Sequence, residues 1–329
     1  MSRWIDRLVL GVLLAALAAT DATRATACSI CLAGDPVFSA QGTSAQEPGS
    51  FSIFVETRGW EKKSGLLPHE EPAGGDLGGG GRELEKNRSQ RLDLYVSWTP
   101  IDRLTLTLDV PWAFNEIKEI EGDSSTTSTL SSLGDISLQA SAVLWRNRDV
   151  LPTTWVEGRA FLKTPSGKDS QRVDGVKDPH LQVGTGSWDY GFGLAFVHKL
   201  ERAVLFASAF YRINSAGALH YEYGDNFLAN MGLRVPLGHA TGIRTLERFT
   251  PGFELNYRWA AKDETEGDRF GDSGGSILYL APSLDTRIPW FDDNPPSLRI
   301  GVQIPATNSG LNGFQREDPI WSAGILYSF

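Results

Sequence analysis

The chain has 329 residues, 41% of them hydrophobic, with a formal net charge of -9 and a mean hydropathy of -0.22. That length holds one large domain or two small ones. No apolar run reaches the roughly 18 residues of a spanning helix, which excludes a helical membrane protein, and the acidic balance goes with no nucleic-acid partner.

Arg3 and Arg7 precede an apolar run from Leu8 to Ala19, and Ala25-Thr26-Ala27 follows as an A-x-A cleavage site. Residues 1–27 therefore read as a secretory signal peptide, to be set aside before fold reasoning. Cys28 and Cys31 are the only cysteines and stand C-x-x-C at the start of the mature chain. In an exported, oxidising setting the simplest reading is a local disulfide. A metal site completed by ligands from elsewhere, or a lipidated Cys28, are the alternatives, whereas Leu32 stands where covalent haem attachment needs His. Residues 28–50, rich in Gly, Ser, Ala and Gln, read as a periplasmic tail.

From Phe51 to Phe329 one unit repeats: an alternating segment of about 10 residues, a connection, another alternating segment. Residues 91–112 show it best. Leu92, Leu94, Val96 and Trp98 share one parity against Arg91, Asp93, Tyr95 and Ser97, and after Pro100-Ile101-Asp102 the set Leu104 to Trp112 alternates with Thr105, Thr107 and Asp109. About twelve such segments start near 51, 88, 103, 135, 152, 187, 202, 226, 249, 276, 296 and 319. Long polar connections near 61–87, 116–132, 165–186, 215–224, 262–273 and 307–317 alternate with short links near 99–103, 147–151, 199–202, 238–247 and 288–295. An even strand number with connections sorted by length predicts an all-β, antiparallel up-and-down transmembrane barrel over 51–329, in the bacterial outer membrane.

The apolar parity is then expected to face lipid. Trp98, Trp112, Trp145, Trp155, Trp188 and Trp259 lie near segment ends and are expected in the interfacial girdles. The last strand ends Tyr327-Ser328-Phe329, a terminal Phe of the kind that marks such barrels. The opposite parity predicts a lumen lined by Arg91, Asp93, Asp109, Glu157, Arg159, Lys163, Asp189, Arg234, Glu254, Arg258, Asp285 and Arg299, balanced in sign. These either pair across strands and fill the interior or line a small polar pore. Residues 203–213 break the pattern, because Phe206 and Phe210 share the inward parity with Val204 and make a candidate apolar patch there.

The acidic stretches Glu116 to Asp123 and Asp263 to Asp272 read as solvated loops, or as sites of divalent-cation bridging to lipopolysaccharide. His69-Glu70-Glu71 is a weak metal signal, the Gly-rich run 74–81 lacks the Gly-Lys-Ser/Thr ending of a phosphate loop, and no His is followed two residues later by Ser. No enzyme, cofactor or metal site is expected.

Three patches carry a resemblance: Leu133-Gly134-Asp135-Ile136, Thr164-Pro165-Ser166-Gly167-Lys168, and Gly184-Thr185-Gly186-Ser187-Trp188-Asp189-Tyr190-Gly191. They resemble the outer-membrane barrel family labelled for the MetA pathway of phenol degradation, over about two thirds of the chain. The resemblance implies a transporter-like barrel; Cys28, Cys31 and the stretch 61–87 lie outside it. The expected function is passive passage of a small solute, hydrophobic or aromatic ones included. The alternative is a non-conducting structural or binding barrel whose tail docks a periplasmic electron-transfer or metal-handling protein. Partners are outer-membrane lipid and lipopolysaccharide, the solute, and that periplasmic protein.

Overall fold

The computed structural model describes residues 48–63, 84–121, 124–172, 181–269, 273–288, 295–309 and 316–329. The signal peptide, Cys28, Cys31, His69 and the run 74–81 fall outside the described residues. In chain order the strands are β1 (Phe51–Lys63), β2 (Leu84–Ile101), β3 (Leu104–Glu121), β4 (Ser124–Leu133), β5 (Ser137–Arg146), β6 (Thr154–Lys163), β7 (Asp189–Lys199), β8 (Val204–Ile213), β9 (Tyr221–Glu222), β10 (Asn226–Arg234), β11 (Phe249–Ala260), β12 (Glu264–Thr265), β13 (Asp268–Arg269), β14 (Gly275–Arg287), β15 (Ser297–Ser309), β16 (Arg316–Glu317) and β17 (Ile320–Ser328).

Twelve of them form a wall in the order β1-β2-β3-β5-β6-β7-β8-β10-β11-β14-β15-β17, and β1 pairs with both β2 and β17, so the sheet closes on itself. Closure leaves no strand edge to be satisfied in lipid. Residue alternation follows directly: on β2, Leu92, Leu94 and Trp98 are exposed while Asp93, Tyr95 and Thr99 are buried. Exposed Leu108, Trp112, Leu138, Phe192, Leu194, Phe253, Tyr257 and Ile300 continue the outward apolar band around the barrel.

Two connections differ from the sequence reading. Residues 116–132 are not a loop: β3 runs on to Glu121 paired with β2, and β4 folds back along it from Trp112↔Leu133 to Glu121↔Ser124. This arm carries one buried face, on which Ile117 and Leu130 pack against Leu181 with Asn115 buried beside them. The acidic loop 262–273 is not simply solvated, because Asp263 is buried and accepts hydrogen bonds from Tyr221 Oη and the Gly224 amide, both at 2.7 Å. At the opposite end, links are short. Asp102-Arg103 turns β2 into β3, and the connection after β10 carries one short helix, α1 (Leu237–Thr241).

Candidate functional site: the divided lumen

Inward side chains on β1, β2 and β3 form a connected ionic layer. Arg58 donates to Asp93 at 2.7 Å and to Tyr95 Oη at 3.0 Å, and lies 3.3 Å from Glu56. Arg91 donates to Asp93 and, at 3.0 Å, to Asp109. Asp93 is fully buried, so these bonds replace its hydration outright.

A second knot joins the three patches singled out in the sequence. The Asp135 carboxylate accepts from the amides of Gly167 and Thr185 and from Lys163 Nζ, each at 2.8 Å. Lys163 also lies 2.8 Å from Asp189, which accepts from Ser187 Oγ at 2.8 Å and from Arg212. Backbone contact here requires glycine: a Cβ on Gly184 would stand 2.4 Å from the Gly167 carbonyl carbon. Gly186, at φ 71°, supplies the left-handed residue of the return.

Between these layers and the short-turn end lies an apolar septum. Phe54 on β1, Tyr95 on β2 and Leu326 on β17 pack in one cluster with Phe161 on β6, Phe210 on β8 and Leu228 on β10. Those strands stand on opposite walls of the barrel, so the cluster crosses the lumen. Phe54 stacks on Tyr95 at 5.8 Å between centroids, and Phe161 meets Phe210 edge-on at 6.1 Å.

Below the septum a cavity of about 850 Å³ reaches from Phe54 and Tyr95 to the exposed turn residues Asp102 and Arg103. One of its walls is apolar: Trp155, Ala195, Val197 and Phe206 form a cluster flanked by Val143 and Val204. The adjoining side is cationic. Arg234 and Arg299 share one carboxylate, Asp285, at 3.2 Å and 2.6 Å.

The expected lumen residues thus fall into separate groups. Arg91, Asp93 and Asp109 join one ionic layer and Lys163 and Asp189 the other; Glu157 pairs with Arg159 at 3.5 Å; Glu254 and Arg258 on β11 are fully buried; Arg234, Asp285 and Arg299 border the cavity. Val204 and Phe206 line the cavity wall, whereas Phe210 belongs to the septum. Trp155 is a correction: it is not a girdle residue but points inward, buried, with Nε1 donating to Glu157 at 3.0 Å. Trp98, Trp112, Trp145, Trp188 and Trp259 are exposed. Sequence reasoning missed Glu56, Arg58, Asp135 and Arg212. The cavity lining differs from the expected lumen set, with eight Lys or Arg and four Asp or Glu, several of them at strand ends such as Arg103, Lys199 and Arg287.

No family model matches the sequence, and no curated protein matches it. An outer membrane channel from Pseudomonas putida F1 matches with a TM-score of 0.60 at 14% identity, over 88% of this chain and 99% of that one. A FadL homologue from Pseudomonas aeruginosa gives 0.42 at 12% identity, over 93% and 98%, and the KdgM porin in complex with disordered oligogalacturonate gives 0.39 at 11%, over 84% and 99%. The resemblance to the MetA-pathway family is therefore supported only at the level of architecture. A closed twelve-strand wall, a continuous apolar outer band and the fold shared with the Pseudomonas putida channel make the chain an outer-membrane β-barrel.

Proposed function

We propose that this barrel is a channel for passive passage of a small solute between the outside and the periplasm, of the transporter-like kind that the three sequence patches resemble. The observation that carries the reading is the cavity of about 850 Å³ inside the closed wall, reaching from the short-turn rim to mid-height. In outer-membrane barrels short turns face the periplasm, which makes this cavity the periplasmic vestibule. The lumen-lining charges hold the wall's polar face without water having to fill it, and passage requires the septum side chains to swing aside. In a planar bilayer the purified chain is expected to give discrete openings. Uniform silence at any voltage short of membrane rupture would count against transport.

A second reading is favoured by the septum itself, since side chains from opposite walls meet across the lumen. It is a non-conducting barrel that binds a ligand or a periplasmic partner, with Cys28 and Cys31 in the docking tail. Bilayer silence combined with periplasmic capture that depends on Cys28 would favour it.

A further inference from the structure

We infer that the cavity beneath the septum is a binding site for a neutral polyhydroxylated solute the size of one sugar ring, held by a belt of hydroxyl and amide side chains on β17, β1, β2, β3 and β5. This solute class is that of the channel's vestibule and so rests on the channel reading. Binding in detergent micelles, where conduction plays no part, separates the two.

Strand register builds the belt. Ser328 on β17 is the Cα partner of Ser52 on β1, Ser52 of Ser97 on β2, Ser97 of Thr107 on β3, and Thr107 of Gln139 on β5. All of them line the cavity. Directly paired residues share a face of the sheet, so these adjacent strands present one uncharged hydrogen-bonding row to the lumen. A second row starts beside it, where the Thr99 and Thr105 hydroxyls lie 3.0 Å apart and Thr105 is the partner of Ser141. The septum forms the roof, since Leu326, Phe54 and Tyr95 stand two residues away on β17, β1 and β2.

The belt is not saturated by its own bonds. The Ser97 and Thr107 hydroxyls lie 2.9 Å apart; whichever accepts keeps its own proton to donate. Gln139 Nε2 donates to Ser141 Oγ at 3.0 Å, while Gln139 Oε1 accepts from no described group. Ser97, Thr105, Thr107 and Ser141 are half-buried in the cavity lining, not sealed behind it. Rotatable hydroxyls that both donate and accept are complementary to a solute whose own groups do the same on successive carbons.

Other solute classes match this lining less well. An ion placed on the row would exchange its hydration for neutral hydroxyls alone. An aromatic solute would need open ring faces to stack on. Lys199 Nζ lies 5.0 Å over the Trp155 ring, the guanidiniums of Arg234 and Arg299 each lie 5.8 Å over Phe206 and Phe54, and all three rings are buried. A sugar-like ring needs no such face: its hydroxyls meet the belt and its C–H surface meets the underside of the septum. The cavity volume of about 850 Å³ lies in the range of sites that enclose a small molecule.

myo-Inositol and cyclohexanol, a fully hydroxylated ring and its counterpart with a single hydroxyl, are the probes, titrated calorimetrically into the full chain in micelles. Inositol is expected to bind saturably and cyclohexanol at least about tenfold more weakly, because a ring without hydroxyls leaves the belt's polar groups unpaired. Ser97→Ala/Thr107→Val is expected to lower inositol affinity about tenfold, while Thr107→Ser, which keeps the hydroxyl, retains most of it. A belt that serves folding alone would give no saturable inositol binding in the wild type. That result, equal affinity for the two probes, or wild-type affinity in Ser97→Ala/Thr107→Val would overturn the inference. Bilayer silence with inositol binding intact would sink the channel reading and leave this site standing.

Discussion

The ring of Phe210 lies against the bare Cα of Gly193: a Cβ built there would stand 2.5 Å from the ring. Gly191, two residues earlier on the same inward face of β7, meets the ring equally closely. Absent side chains on β7 thus let Phe210 lie flat and reach over that strand to Phe161 on β6. The same device recurs where Phe206 covers Gly232 and Phe54 covers Gly324. Gly193→Val is expected to displace the ring and to cost about 1 to 3 kcal/mol through overpacking, read from unfolding midpoints in detergent.

Leu94 and Leu106 sit on the outward parity, Cα partners of Val110 and Trp98 in the β2–β3 ladder. Arginine at either position would face hydrocarbon, and a loss of about 2 to 4 kcal/mol is expected near the midplane. Thr107→Arg, on the inward parity of the same strand, is expected to cost much less in the same unfolding assay. The reverse ranking would mean that the faces are assigned the wrong way round.

Asp93 holds Arg58 and Arg91 together. Asp93→Ala removes the buried acceptor to which both guanidiniums donate, and its hydrogen bonds with them. A loss of about 3 to 5 kcal/mol is expected, visible as a lowered thermal midpoint of the folded band on a gel. An unchanged midpoint would mean that water already solvates this layer.

At the short-turn end, a hydrogen bond from Arg146 holds the Asp149 carboxyl below its usual range, with Arg103 adding to the effect. Because the folded state favours the ionised form, the contribution is full above the unfolded value of 3.8 and is lost as pH falls through the lower folded value. The wild type is therefore expected to lose more stability than Asp149→Asn between pH 5 and pH 3. Asp149 is solvent-exposed, so the difference is small. Parallel pH profiles would remove the pair from the account.

The wall was legible because lipid on one side and a polar interior on the other impose period 2 on every strand. The twelve observed strand starts fall within four residues of those expected. Phe206 and Phe210 could be assigned inward because their parity reversed against Leu205 and Tyr211. Glu56 and Arg58 escaped notice because β1 carries Phe54 and Trp60 on the same face, while outward Thr57 and Gly59 blur the contrast. Asp135 looked like a junction residue; its role depends on segments near 165 and 185 converging on it, which no local pattern encodes. The arm of β3 and β4 was hidden for another reason: β4 is a Ser and Thr run in which Leu130 alone supplies a buried apolar side chain, against the distant Leu181, so composition reads as loop. The septum needed the pairing order, since only closure places Phe54 opposite Phe210.

The central claim is that a channel through this barrel is limited by its mid-lumen septum. Single-channel conductance of the wild type compared with Phe161→Ala/Phe210→Ala tests it most directly. The account predicts discrete wild-type openings and a conductance at least twofold higher in the double variant, with folding verified by gel mobility. Equal conductance in the two, or silence in both, would contradict it.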